Sequence, residues 1–456
     1  VVDLYGSLLS QALFPAFEAL RGRPTVPLLR QLQESERRPL VELRELQVGL
    51  LRRLIRHAYH STLHYREILD DASLRPTDFN VIEDLGRLPI LDRATAGATL
   101  EARTSWAPPR PVVRKTTSGT TGQPVTVLYS AESRHWRDAI KLRGYGWSGY
   151  AMGQRTFHFW GAAVTGTTTF WKRRKVALDH SIKRELFVDS TPRGDAALGA
   201  AVKALRKFRP HAIVAYANGV ATLARFVNER KLRDWEPIPV LCGAERLWPH
   251  DRAQIEQAFG PAYETYGCRE FMLIGAECQH HTGMHTSMEN LVVEVLVREG
   301  STMRPARPGE LGQVAVTDLH NLSCPMIRYL TGDLAVAIGD EVCACGRTLA
   351  RIGSIEGRVT EEMTDGQGRQ VSGLVFSILF AAIGEICKEF QVIQRKDRSV
   401  VLKVVPRGAK ELPSRERMMA YEHAARYLPG VPFAVEIVDA IPLTAAGKRK
   451  IVVIEK

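Results

Sequence analysis

The chain has 456 residues, too many for one ordinary hydrophobic core, so two or three domains are expected at roughly 150 residues each. With 45% hydrophobic and 25% charged residues and no run near the ~18 uninterrupted apolar residues of a membrane span, its composition excludes a membrane-embedded or disordered chain. The 62 basic residues outnumber the 50 acidic ones to give a net charge of +12, but they are scattered in no aromatic-interleaved stripe; this argues against a nucleic-acid partner and leaves a basic surface that favours anionic small molecules.

The opening stretch carries Asp3, is broken by Pro15 and lacks the basic start of a signal peptide. Seven cysteines spread through the chain do not resemble a secreted disulfide framework, so a reducing cytoplasm is the expected compartment. Leu43, Leu46, Leu50, Leu54 and Ala58 recur at three- and four-residue spacing, which predicts a helix over 40–70 whose one apolar face is packing. Pro89 to Asp92 reads as a strand-to-helix junction with Asp92 as N-cap.

Thr116 to Val125, TTSGTTGQPV, concentrates hydroxyls and glycines between two β-prone flanks. Backbone N–H groups in such a turn can form an anion-binding nest. No Lys follows Gly122, and Pro124 and a strand come next, so this is not a Walker loop. The loop alone leaves open a strand–loop–strand phosphate cradle or an ordinary Thr/Gly hairpin.

Helix is then expected over 132–144, strand over 155–160, loop over 161–169, helix over 197–207, strand over 212–216, helix over 219–229 and strand over 239–242. This alternation predicts an α/β fold with a parallel sheet, whose ligand-binding loops follow the strands. Strands expected at 291–297, 312–317 and 334–338 form a β-rich section. A polar stretch from Gly357 marks a hinge. Beyond it, helix over 374–389, a hairpin of 390–393 and 399–404, helix over 414–427 and strand over 433–438 make a small α+β module. The division is thus 1–357, a hinge at 358–362, and 363–456 as a mobile C-terminal domain.

Three short motifs bear acids or a base. Glu270 in YGCRE suits Mg²⁺ held together with substrate phosphates, or is a solvated loop carboxylate. Asp333 in YLTGD suits a ribose hydroxyl, or is a turn residue. Lys448 in PLTAAGK can bring a point charge to a developing phosphate charge, or is a surface lysine near the chain's end. Cys278, His280, His281 and His285 lie in one stretch, and Cys343 and Cys345 in another; such donors suit tetrahedral Zn²⁺, although the spacings are not the familiar CxxC pairs. Cys242, Cys268, Cys324 and Cys387 have no such neighbours and read as packed thiols.

The order TTSGTTGQP, GAE, YGxxE, YxTGD, GR and PxTxxGK resembles the adenylate-forming superfamily of acyl-CoA synthetases and adenylation domains, and most of all its phenylacetate–CoA ligase-like branch. The resemblance runs from about Leu50 to the C-terminus. It implies a large N-terminal α/β domain with a small mobile C-terminal one. It implies that Thr117, Ser118, Gly119, Thr120, Thr121 and Gly122 hold the ATP phosphates. Gly243, Ala244 and Glu245, with Tyr266 and Gly267, would wall the adenine; Glu270 would ligate Mg²⁺; Asp333 would bind ribose; Arg358 would touch ribose or phosphate beside the hinge. Lys448 would reach the α-phosphate and the attacking carboxylate. By analogy the acid lies near Trp160, Gly161, Tyr216 and Phe271, aromatics that fit a flat substrate or belong to the core. Some members carry a similar Cys/His pattern, which selects Cys278, His285, Cys343 and Cys345 as zinc ligands.

The implied reaction joins ATP and a carboxylic acid into an acyl-adenylate, releases pyrophosphate, and passes the acyl group to CoA. The branch's Gly-Arg-x-Asp-Asp hinge is here Gly-Arg-Val-Thr-Glu-Glu, with Thr360 or Glu361 as pivot, and a glycine-rich stretch beside the CoA tunnel is replaced by residues 365–369. An amine acceptor, or a non-carboxylate substrate such as nitrite, is the alternative. A non-catalytic nucleotide-binding scaffold is the other; the joint presence of Glu270, Asp333 and Lys448 speaks against it. The sequence does not fix the oligomeric state.

Overall fold

A computed structural model describes residues 3–116, 125–161, 170–192, 194–300, 302–358, 362–372, 375–383, 386–407, 411–443 and 450–455. The expected loop of Thr117–Gly122, positions 162–169 of the expected loop over 161–169, the expected pivots Thr360 and Glu361, and the expected Lys448 fall outside the described residues.

The strands in chain order are β1 Val112–Thr116, β2 Thr126–Ser130, β3 Thr156–Trp160, β4 Glu185–Asp189, β5 Ala212–Tyr216, β6 Val240–Gly243, β7 Ala262–Cys268, β8 Met272–Glu277, β9 Met284–Thr286, β10 Leu291–Glu299, β11 Thr302–Pro305, β12 Leu311–Asp318, β13 Tyr329–Ala337 and β14 Arg351–Arg358. Twelve of them form one mixed sheet in the order β11-β10-β12-β13-β14-β9-β8-β7-β6-β5-β3-β4. From β4 to β7 the pairing is parallel, and from β7 onward it is antiparallel. The parallel half follows from its sequence. Every residue of β5, AIVAY, is buried, as strands covered by helices on both faces must be. Leu198, Val202 and Leu205 of one helix and Val220, Leu223 and Val227 of the next fill the core against Phe157, Ile213 and Val240.

The chain leaves β3 for β4 on one side and leaves β5 for β6 on the other. Adjacent strands whose exits diverge create a crevice beyond their carboxyl ends, where α/β sheets bind ligands.

The second half curls over. Flat strands sit about 4.8 Å apart, so the four steps from β7 to β13 would span about 19 Å. Instead Tyr266 of β7 places its hydroxyl 2.9 Å from a carboxylate oxygen of Asp333 on β13. The space enclosed is filled by Phe271, Ile274, Val314, Val316 and Tyr329, with Val125, Val127 and Tyr129 from the β1–β2 hairpin.

The C-terminal part has its own core. A short β15–β16 pair, Glu362–Thr364 with Gln370–Ser372, precedes a four-stranded sheet of β17 Cys387–Gln394, β18 Val400–Pro406, β19 Phe433–Ile437 and β20 Val452–Ile454, ordered β19-β18-β17-β20. The helices Val375–Ile383 and Ser414–Tyr427 accompany it.

Several sequence expectations are corrected. The helix expected over 40–70 is two helices, Leu40–Ser61 and Leu63–Asp71, because Thr62 turns extended and caps the second by accepting from the Tyr65 N–H. The helix expected over 374–389 ends at Ile383, since from Cys387 the backbone pairs with β18. The YGCRE motif begins inside β7, and the YLTGD motif, where Asp333 could have been a turn residue, lies inside β13. The helices Phe170–Ile182 and Pro249–Ala258 and the edge strand β4 carried no expectation. Among the described residues, no helix is long and apolar enough to cross a membrane.

Candidate active site and metal centre

The crevice between β3 and β5 gathers much of what the sequence nominated. Trp160 ends β3 and Tyr216 ends β5; their rings lie 4.2 Å apart, tilted by 42°. Gly161 follows directly. Gly243 closes β6, where a Cβ would meet Thr265 Oγ1 at 2.8 Å and Trp160 at 3.7 Å, so a larger residue would press into the crevice wall. Ala244 beside it is exposed with φ +66°. The Glu245 carboxylate turns back to accept from the Asn218 N–H at 3.1 Å. Trp160, Tyr216, Gly243 and Tyr266 therefore lie at the same end of four neighbouring parallel strands.

Tyr266 bridges to the curled half. Its hydroxyl lies 2.9 Å from Asp333 Oδ2 and 3.1 Å from Thr331 Oγ1. Burial beside a carboxylate raises its pKa well above the ordinary phenol value, so it stays a neutral donor. Asp333 pairs in register with Arg358 across β13 and β14, which places the end of β14 beside the same cleft.

Glu270 is no solvated loop acid. It is 6% exposed, and the Tyr329 hydroxyl donates to its carboxylate at 3.3 Å. Its backbone carbonyl accepts from Arg137 Nη1 at 2.5 Å. Arg137 also pairs with buried Asp318 at 2.5 Å and lies over Tyr129 of the hairpin at 4.4 Å. Next to Glu270, Arg269 donates to the Thr116 carbonyl at 2.8 Å, the last described residue before the Thr/Gly loop. These contacts draw the base of that loop and the buried acid together, although 154 positions separate Glu270 from Thr116. Phe271 is 1% exposed and packs 5.8 Å from Tyr329 in the core of the curled half. Sequence reasoning gave no role to Arg137, Arg269, Tyr329 or Thr331, although all but Arg137 lie inside motifs it singled out.

Gly267 sits at a register shift between β7 and β8. A Cβ there would lie 2.0 Å from the Met272 carbonyl oxygen, and backbone cannot yield as a side chain can. Gly267→Ala is expected to cost about 3 kcal/mol of stability, read as a fall in the urea midpoint.

Comparison with known proteins fits this geometry. Residues 363–455 match the CapK C-terminal domain family. The chain is 28% identical over 373 residues, 80% of its length and 81% of theirs, to a phenylacetate-coenzyme A ligase of Thermus thermophilus. It superposes on 2-hydroxyisobutyryl-CoA ligase in the postadenylation state with an acyl-AMP at a TM-score of 0.72 and 20% identity, covering 93% of this chain and 92% of that one. The chain is thus similar to members of the phenylacetate–CoA ligase-like branch of the adenylate-forming superfamily. The superposition on the same hydroxyisobutyryl ligase in its thioesterification state is looser, with a TM-score of 0.59 at 21% identity and 93% and 92% coverage. The fold as a whole is thus nearer the former.

Apart from the crevice, Cys278, His285, Cys343 and Cys345 converge. Their four donor atoms lie within 4.8 Å of one another, and all four residues are buried. Cys278 Sγ is 3.7 Å from Cys343 Sγ, and Cys345 Sγ is 3.3 Å from His285 Nε2. His285 Nδ1 lies 3.3 Å from the Leu349 carbonyl, which orients Nε2 toward the sulfurs. Burial lowers the His285 pKa to about 4, leaving a neutral imidazole. His280 and His281 stand outside the cluster; His281 instead lies 3.1 Å from Glu277.

Glu277 also takes both Nη2 contacts of Arg252 at 2.9 Å. Neighbouring Glu264 is buried, and burial first, then the Glu277 charge, pushes it up to about 7 from 4.5. Between those values the folded chain holds a proton that the unfolded chain has released, so stability falls as pH rises from about 4.5 to about 7. The span is worth at most about 3 kcal/mol. Glu264→Gln is expected to remove that slope and stabilise the protein at pH 8, as urea titrations across pH 5–8 would show.

Proposed function

We propose that this protein is an AMP-forming ligase that activates a carboxylic acid with ATP and hands the acyl group to CoA. The observation that carries the reading is the Tyr266–Asp333 contact. It joins the ligand crevice of the parallel sheet to the antiparallel half, so that one cleft offers aromatic walls, a buried acid and a hydroxyl-binding acid. Relatedness across four-fifths of the chain to a phenylacetate-coenzyme A ligase supports the same chemistry.

In this cleft Thr117–Gly122 would hold the phosphates through backbone N–H groups and hydroxyls. Gly243–Glu245 with Tyr266 and Gly267 would wall the adenine, and Asp333 would accept from the ribose, with Arg358 beside it. Glu270 fits Mg²⁺: it is a buried carboxylate next to Arg269, which holds the Thr116 carbonyl, and Mg²⁺ takes one or two carboxylates together with substrate phosphates. When bound, that ion offsets phosphate charge. The acid's carboxylate oxygen attacks the α-phosphorus, the bond to the β-phosphate oxygen breaks, and pyrophosphate leaves. Lys448 steadies the charge that gathers at the α-phosphate. The thiol of CoA then attacks the acyl carbon and AMP departs. Residues 358–362 serve as the hinge on which residues 363–456 turn between the two steps. Trp160, Gly161 and Tyr216 at the crevice mouth favour a flat acid.

The Cys278, His285, Cys343 and Cys345 cluster is a structural zinc site in this reading. A tetrahedron with Zn–S near 2.3 Å has S···S edges of about 3.8 Å. The 3.7 Å separation of Cys278 and Cys343 matches such an edge. With four protein donors and no open position, its task is to tie β8, β9 and the 338–350 segment together.

Pyrophosphate release from ATP and Mg²⁺ across a panel of aromatic acids, amino acids and nitrite, with and without CoA, tests the function. Release with at least one acid, and AMP formation that rises when CoA is added, is expected. No release across the panel would contradict it.

A further inference from the structure

The buried cluster of the C-terminal part contains one residue from outside it. Trp248, 2% exposed, joins Phe376, Phe380, Phe390, Val392 and Leu402; all the other buried members come from positions 363–452. Its indole meets Phe380 edge-on at 4.9 Å and Phe390 at 6.4 Å, and those two phenylalanines stack at 4.0 Å. Arg246 lies over the other side of the indole at 4.0 Å and pairs with Glu356 at 2.5 Å, two positions before Arg358. His250 adds a second edge-on contact to Phe380 at 5.1 Å. The segment that follows the Gly243–Glu245 wall is therefore plugged into the C-terminal core, and it is tied back to the last turn of β14 ahead of the hinge.

Phe390 belongs to β17, and β17 also grips both flanks of the segment that contains Lys448. Glu389 accepts from the Ile441 N–H at 3.3 Å, and Gln391 donates to the Lys450 carbonyl at 2.9 Å. Three consecutive residues thus hold the indole and the two ends of the lysine segment. We infer that Trp248, steadied by Arg246 and Glu356, is a positioning residue that docks β17, and with it the C-terminal part, on the large domain during adenylation, and that this contact must open before transfer to the thiol. This rests on the proposed ligase reading, but the docking can be tested apart from it.

Limited trypsin digestion of the full chain, followed at the bond after Arg358, reads docking without any substrate. In Trp248→Ala that cleavage is expected to quicken about 10-fold, while Trp248→Phe, which keeps a ring against Phe380, stays within about 2-fold of the native chain. Unchanged hinge cleavage in Trp248→Ala, or an equal quickening at sites throughout the chain, would overturn the proposal. A second arm uses phenylacetate or whichever acid the panel supports. ATP–pyrophosphate exchange should fall at least 10-fold in Trp248→Ala, while thioester formation from supplied acyl-AMP and CoA is kept or raised, with the phenylalanine variant restoring exchange. An equal fall in both half-reactions would mark Trp248 as merely structural and overturn the proposal. A chain that adenylates no acid yet shows the hinge result fails the ligase reading and keeps the docking one.

Discussion

Lys448→Ala is expected to lower ATP–pyrophosphate exchange by roughly 10²–10³-fold while leaving ATP affinity within a few-fold of the native protein. The magnitude is that of removing one preorganised charge from a developing anion. The separation of effects follows from the architecture. The groups assigned to hold the nucleotide, Tyr266, Asp333 and Glu270, sit on the large sheet and are fixed by one another and by Tyr329. The lysine comes from another body, on a segment whose ends are clamped to β17. Its loss therefore removes charge from the reaction without loosening the cleft. Thioester formation from supplied acyl-AMP should continue, because the proposed mechanism gives the lysine no part in that step. Equal loss of ATP affinity and exchange, measured by calorimetry beside the exchange assay, would place Lys448 among the binding groups instead.

The second large effect is expected at the cysteine cluster. Purified native protein should carry about one zinc per chain, and Cys343→Ser close to none. The same substitution should lower stability by several kcal/mol, because metal binding at a structural site is folding free energy. The physical reason is burial. Burial pushes the thiol of Cys278 up to about 12, so a thiolate there needs a cation, whereas at Cys343 burial is outweighed by hydrogen bonds from Cys345 and Thr282, which bring it down to about 7. The cluster also ties the segment carrying Cys343 and Cys345, which lies between β13 and β14, to β9, a strand three residues long. A zinc content near zero in native protein prepared without chelator, or an unfolding temperature unchanged in Cys343→Ser, would reject the site.

The parts of this molecule that could be read directly are those where one stretch of chain decides its own shape. The run at 212–216 is apolar throughout because β5 is covered on both faces, and the helix Ser414–Tyr427 has the bounds its pattern predicts. Where tertiary contact decides, the sequence was silent or misleading. Thr62 stops a helix whose apolar spacing continues past it, since its hydroxyl caps the next one. Glu270 could be a surface acid until Tyr329 and Arg137 are seen to enclose its residue. Asp333 meets Tyr266 across 67 positions only because the sheet curls. The cysteines and His285 were recognisable by donor type, whereas their convergence within 4.8 Å is a property of three separate segments. Trp248 carried no signal at all, for nothing in RLWPH says that its indole belongs to another core.

The central claim is that a carboxylate oxygen of the substrate attacks the α-phosphorus of ATP. Turnover of an acid labelled with ¹⁸O in its carboxylate, with CoA present, tests this most directly. The attacking oxygen becomes the bridge of the acyl-adenylate and stays on phosphorus when the thiol takes the acyl group, so mass spectrometry should find one ¹⁸O in each AMP formed. Label in inorganic phosphate with ADP as the nucleotide product, or AMP free of label, would contradict the account.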